Sequence, residues 1–162
     1  MTLDTVIRGG TVVTETGLHD ADVGIRDGSI AAVGDAETFS KASRVLDATD
    51  RMVMPGVVDP HVHVADMFSG DSYETATKAA ALGGVTTFID FGWQAWEGET
   101  SPYDSASTLL EGIERKRAKA DGALVDYALH GGITREDLAV LDELEAAIEA
   151  GVPSFKLYTT YE

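Results

Sequence analysis

The chain has 162 residues, 44% of them hydrophobic, and a formal net charge of −16 from 28 acidic and 12 basic side chains. So negative a protein repels nucleic acid and anionic membrane surfaces, which excludes both as expected partners. There is no apolar run of membrane-spanning length, and with no cysteine any metal must rest on histidine, carboxylate or modified lysine.

The N-terminus lacks a basic-then-apolar signal pattern, so the cytoplasm is the expected location. Residues 1–54 read as a small β-domain. Thr5-Val6-Ile7, Thr11-Val12-Val13, Ala21 to Ile25, Ser29 to Val33 and Arg44-Val45-Leu46 are β-branched or alternating runs. Gly9-Gly10, Asp27-Gly28 and Gly34-Asp35 supply the turns between them, and Asp27-Gly28 carries a hairpin signal. His19 falls among turn residues and is expected at the surface.

From residue 55 to 162 the rhythm changes to strand alternating with helix. Gly56 to Asp59 is a buried-type strand that ends at histidines, and Asp71 with Glu74 suggests a capping box opening a helix that stops at Gly83-Gly84. Val85 to Ile89 is a second strand. Ser101-Pro102 suits the start of a helix with Leu109, Leu110 and Ile113 on its inner face, and Ala123 to Leu129 makes a third strand. Thr134 opens a helix whose Leu138, Leu141, Leu144 and Ile148 recur at helical spacing up to Gly151. Its acidic residues, Glu143 among them, read as a solvated face. Ser154 to Tyr158 is the fourth strand. Such repeats imply an α/β fold with right-handed crossovers and a parallel sheet. A complete (β/α)8 barrel takes about 250 residues, so this stretch is either a small open sheet or the first half of a barrel.

Asp59, His61 and His63 stand at alternate positions, and alternate strand residues face the same way. Two imidazoles with a carboxylate behind them can hold one edge of a divalent metal. A His-x-His pair alone is a weak sign; its surroundings strengthen it. Val53-Met54-Pro55-Gly56-Val57-Val58-Asp59-Pro60-His61-Val62-His63 resembles the opening of the amidohydrolase superfamily. Asp71 to Phe91, with Ala79-Ala80-Ala81-Leu82-Gly83-Gly84-Val85, resembles its cyclic-amide branch. Gly151-Val152-Pro153-Ser154-Phe155-Lys156-Leu157-Tyr158 is similar to the segment that holds that branch's carboxylated lysine. Together the three motifs resemble dihydropyrimidinases and D-hydantoinases, over the whole chain but only the N-terminal portion of a family member.

The resemblance implies an N-terminal β-sandwich segment (residues 1–54) followed by about four βα units of a TIM-type (β/α)8 metal-dependent hydrolase barrel (55–162). It implies hydrolytic opening of the cyclic amide C–N bond of a dihydropyrimidine or hydantoin by a metal-bridging hydroxide. His61 and His63 would bind one of two divalent ions, zinc being the expected metal. Lys156, as a CO2-derived carbamate, would bridge the pair, since burial depresses a lysine's pKa and frees its amine. Tyr161 would donate to the developing oxyanion and contact substrate. Asp59 would support the site by orienting an imidazole or the strand end, and Met67 and Phe68 would meet a substrate substituent. The implied substrate is a small cyclic ureide or imide, and family members are commonly homotetramers. Further ligands of the family, two histidines and an aspartate, would lie beyond Glu162. The 162-residue chain alone is therefore expected to be inactive, with one ion or none retained.

Two departures from related branches point to a neutral ring. Val64 to Gly70 contains no arginine of the kind dihydroorotases use for a substrate carboxylate, and Ile89-Asp90-Phe91 replaces the Met-Pro-Asn or Met-Pro-Leu that dihydroorotases and allantoinases favour. Allantoinase- or dihydroorotase-like activity and a non-catalytic scaffold or relict fragment are the alternatives. Asp90 and His130 end strands where active-site groups gather, although a satisfied structural histidine is the favoured reading of His130. Trp93 and Trp96 fit a pocket wall and a packing role equally.

The acidic residues are spread along the chain, as in a generally acidic enzyme or one adapted to a high-salt cytoplasm. If the second holds, screening of carboxylate repulsion should raise the melting temperature in molar potassium chloride. Equal melting temperatures in dilute and molar salt would contradict it.

Overall fold

The computed structural model describes residues 3–35, 39, 41–94, 108–135 and 138–159, which fall into two compact units, Met1–Pro55 and Gly56–Glu162. In the first unit β1 (Leu3–Thr14) pairs antiparallel with β2 (Gly17–Arg26), which pairs antiparallel with β3 (Ser29–Gly34). The parallel partners of β1 are β4 (Ala42–Asp47) and the short β5 (Met52–Val53). The described residues thus form one five-stranded sheet here, where a sandwich segment was expected. Leu3, Val6 and Phe39 make its buried core.

Gly9-Gly10 does not separate two strands, as its composition suggests. It is a bulge inside the continuous β1, where the register against β2 shifts between Ile7 and Gly10. Gly9 takes a φ of 74° and donates its N–H to Oδ1 of the buried Asp22 at 2.9 Å. The bulge removes that N–H from the ladder, and a carboxylate recovers it. Asp22 is itself paired with Arg8 at 3.1 Å.

In the second unit the order is β6 (Val57–Asp59), α1 (Tyr73–Leu82), β7 (Val85–Trp93), α2 (Leu109–Lys119), β8 (Asp126–Ile133), α3 (Val140–Glu149) and β9 (Phe155–Leu157). The strands are all parallel and adjacent in chain order, β6-β7-β8-β9. That order never reverses, unlike a doubly wound sheet. Leu109, Ile113, Leu129, Val140, Ala147 and Val152 form the larger core, and Val64, Tyr73, Phe88 and Ala120 a second cluster.

Local chemistry corrects several boundaries. The cap of α1 is one residue on from the Asp71/Glu74 pattern: Ser72 and Thr75 exchange side-chain and backbone hydrogen bonds. Ser101-Pro102 lies outside the described residues, among which α2 starts from an N-cap at Thr108. Strand β7 runs on to Trp93 and β8 to Ile133, further than their apolar runs suggest. The leucine stripe expected for α3 is largely solvent-facing, with Leu138, ahead of the helix, 80% exposed and Leu141 57% and Ile148 51% exposed within it. Val140 and Ala147 are buried in their place, with Leu144 half-buried between. Both stripes have helical spacing and share Leu144, so periodicity could not choose between them. Nor is Glu143 merely solvated, since its carboxylate accepts the Leu110 N–H at 2.9 Å in the first turn of α2. No helix among the described residues is long and apolar enough to cross a membrane.

Candidate functional site

Strand β6 stops at Asp59 for a local reason. Pro60 has no N–H to give to a ladder, and the Asp59 carboxylate accepts the backbone N–H of His61 at 3.1 Å. The histidines therefore stand just past the strand rather than on its face. Their segment is tied to β7 by the Val62 N–H, which donates to the Ile89 carbonyl at 3.1 Å. Asp59 orients this strand end through backbone.

The two imidazoles meet edge to face, with centroids 5.3 Å apart. Beneath them lies an aromatic floor from the end of β7. The Phe91 ring is 4.8 Å from His61 and 5.1 Å from His63, and Trp93 stacks on His63 at 5.8 Å. Gly132 on β8 makes room for that indole, because a Cβ there would sit 2.1 Å from the Trp93 ring. From β9, the Lys156 ammonium reaches to 3.4 Å from Nε2 of His61. It also lies over Phe91 at 4.8 Å, Tyr158 at 5.1 Å and Trp93 at 5.6 Å. His61, His63 and Lys156 are thus brought together. His61, Phe91, His130, Phe155, Lys156 and Leu157 line an open cleft of about 400 Å³.

Desolvation holds the His61 imidazole below its usual pKa, with the charges of Lys156, His63 and His130 acting the same way and Asp59 opposing them. A neutral imidazole is the form that ligates a metal. Nδ1 of His63 is buried without a hydrogen-bond partner among the described residues, at 3.5 Å from the Asp66 carboxylate. By donor chemistry the pair fits a divalent ion, and Lys156 fits as a third ligand only once its amine is modified.

His130 has both nitrogens engaged, Nδ1 with the Ser154 hydroxyl at 2.6 Å and Nε2 with the Pro60 carbonyl at 3.0 Å. A carbonyl can only accept, so Nε2 carries a proton and the ring is a latch between β8, the approach to β9 and the residue before His61. The Phe68 ring lies 4.8 Å from His63 and 6.3 Å from Trp93. Met67 and Phe68 also line a broader open depression of about 730 Å³ beside the 65–72 loop. Tyr161 and Trp96 lie outside the described residues, and His19 is an exposed residue of the first unit bonded to Thr14 and Thr16.

Behind the histidines is a buried ionic cluster. Lys116, only 3% exposed, donates to the Val64 carbonyl and pairs with Asp90 at 3.0 Å and Asp66 at 3.3 Å. Asp90 also accepts the Tyr73 hydroxyl at 2.8 Å and the Phe91 N–H at 2.7 Å. His63, Asp66 and Asp90 offer ligand atoms within 4.8 Å of one another, a spacing that could hold a cation. The Lys116 ammonium already fills that role, with three acceptors for three N–H donors. Burial pushes the Asp90 carboxyl up, and Lys116, the Phe91 N–H and Tyr73 draw it back. Burial and then Asp90 push the Tyr73 hydroxyl up, keeping it a donor. In the sequence Lys116 sits among charged neighbours, Glu114, Arg115, Arg117 and Lys119. The available signal was its place three residues after Ile113, on the same stripe as Leu109.

Replacing Lys116 with methionine strands two buried carboxylates and is expected to cost about 3–5 kcal/mol near neutral pH. A carboxyl with a raised folded pKa favours folding below its unfolded value and loses that contribution as pH rises through the folded one. The Lys116→Met penalty should therefore shrink in acid. Denaturant melts of both proteins at about pH 5 and about pH 7.5 check this; an equal or larger penalty at the lower pH contradicts it.

Comparison with known proteins converges on one group. Residues 1–57 match the family model "Urease alpha-subunit, N-terminal domain". The chain is 38% identical to a D-hydantoinase of Rhizobium radiobacter over 98% of its own length and 34% of the relative's. It is 38% identical to Dihydropyrimidinase 1 of Caenorhabditis elegans, over 97% of this chain and 32% of that one. The crystal structure of dihydropyrimidinase from Brevibacillus agri NCHU1002 superposes with a TM-score of 0.83 at 35% identity, covering 98% of this chain and 33% of that one. The chain thus spans about a third of the length of the curated relatives it matches. Along essentially its whole length, the chain is similar to the N-terminal portion of D-hydantoinases and dihydropyrimidinases.

Proposed function

We propose that this chain carries the first part of a metal-dependent site that opens the ring of a neutral cyclic ureide or imide, of the dihydropyrimidine or hydantoin class. The observation that supports it best is the meeting of His61 and Lys156. Their side chains come from positions 95 residues apart in sequence to within 3.4 Å at one sheet edge, with His63 beside them. The unreversed order of the four parallel strands supports reading the second unit as part of a (β/α)8 barrel, whose sites gather at the carboxyl ends of the strands.

In this reading His61 and His63 hold a divalent ion, most simply zinc. Lys156 would lose its ammonium proton, and the free amine nitrogen would add CO2 and release a second proton, giving a carbamate anion whose oxygens could ligate. A metal bound there would acidify a water and polarise the ring carbonyl. The chain's own residues do the rest. Phe91 and Trp93 exclude water beneath the imidazoles, and both stack on His63 and fix its plane, while Phe91 meets His61 at a tilt. His130 holds the Pro60 carbonyl, and so the entry to His61, in place. Phe68 presents an aromatic face beside His63, and the 64–70 segment offers no arginine for an acidic substrate, which favours a neutral ring. Tyr161 is assigned the oxyanion donor, and Met67 with Phe68 the substrate substituent, on family resemblance. The relatives contribute roughly three times this length to their own folds, so the 162-residue polypeptide by itself is assigned no turnover.

Equilibrium dialysis of that polypeptide against zinc should show bound metal that His61→Ala abolishes and Lys156→Ala weakens. Native mass spectrometry should show a CO2 adduct that Lys156→Gln removes. Zinc binding indifferent to both alanine variants would overturn the site, and dihydrouracil turnover well above the His61→Ala control would overturn the assignment of inactivity.

A further inference from the structure

Asp59, expected to orient an imidazole or the strand end, accepts a backbone N–H at the end of β6. The carboxylate that faces an imidazole is Asp66, three residues after His63. Its Oδ2 lies 3.5 Å from the buried Nδ1 of His63, at the limit of hydrogen-bond contact. Asp66 is not free to wander: its Oδ1 accepts the Phe68 N–H at 2.9 Å, and its Oδ2 is paired with Lys116 at 3.3 Å. Lys116 is fixed in turn by the Val64 carbonyl and by Asp90, which Tyr73 and the Phe91 N–H hold. Asp66, Lys116, Val64, Asp90, Tyr73 and Phe91 are buried, His63 is half-buried, and Phe68 is exposed.

We propose that Asp66, held by Lys116, is the positioning residue of His63: it accepts a hydrogen bond from the Nδ1–H, fixing the ring plane and leaving Nε2 as the lone-pair nitrogen. Two observations carry this. The Nδ1 atom is a buried polar atom without another bonded partner among the described residues, a state that costs about 1–3 kcal/mol unless a partner is found. Beside it, two carboxylates share a single ammonium, so the cluster has acceptor capacity and negative charge to spare. A carboxylate behind a ligating histidine sets its tautomer and raises its basicity. The purpose of the device rests on the metal-hydrolase reading above, whereas its geometry does not.

The test is the tautomer of His63 in the metal-free chain, read from long-range proton–nitrogen spectra at a pH where the rings are neutral. The chain has four histidines, so single His→Gln variants assign the signals. The wild-type protein should show His63 protonated on Nδ1. Asp66→Asn should shift it toward the Nε2–H form, and Asp59→Asn should leave it unchanged. A wild-type His63 protonated on Nε2, or a tautomer indifferent to Asp66→Asn, overturns the proposal; the wild-type spectrum decides even if the variant fails to fold. Zinc affinity, measured in parallel, should fall about ten- to a hundredfold in Asp66→Asn. Absence of zinc binding by the wild type with the tautomer result intact would remove the metal reading and leave the positioning role standing. Zinc binding with a tautomer insensitive to Asp66 would do the reverse.

Discussion

Parallel pairing is the constraint on which the second unit depends. When neighbouring strands run the same way, each connection must cross a face of the sheet and return to the starting edge. All carboxyl ends then lie along one edge, whatever their separation in sequence. Histidines just past β6, an aromatic pair ending β7, a histidine on β8 and a lysine on β9 become neighbours for that reason alone. The helices do the returning, and their inner stripes supply the core that holds the strands in register.

Charge is arranged asymmetrically about that edge. On the open side are His61 and the Lys156 ammonium above aromatic rings, with desolvation and like charge lowering the His61 pKa. On the buried side are two carboxylates and one ammonium, satisfied in detail by Val64, Phe68, Phe91 and Tyr73. Burying ions is unfavourable, and replacing such a cluster with apolar groups is often neutral or stabilising. Its presence beside His63 is better accounted for by what it does to that imidazole than by stability.

Much of this was legible in the chain, and the exceptions have physical causes. The order of strands and helices followed from apolar periodicity punctuated by glycine, and the histidine and lysine segments were identifiable as motifs. Gly9-Gly10 misled because a glycine pair serves a bulge as readily as a turn, and only the distant Asp22 decides between them. The inner face of α3 misled because two stripes share Leu144, and the smaller Ala147 is the one that packs against the core. Lys116 was hidden by its basic neighbours, since its partners Asp66 and Asp90 lie far away in sequence. Phe91 follows an aspartate at a strand end, and nothing local marks it as the floor beneath both imidazoles and Lys156.

The central claim is that His61, His63 and Lys156 converge on one cation. X-ray absorption at the zinc edge of the zinc-loaded chain tests it most directly. Multiple scattering from two imidazoles is expected, with zinc–nitrogen distances of about 2.0–2.1 Å, accompanied by oxygen ligands. A spectrum fitted by oxygen alone, as for an ion held by surface carboxylates, would contradict it.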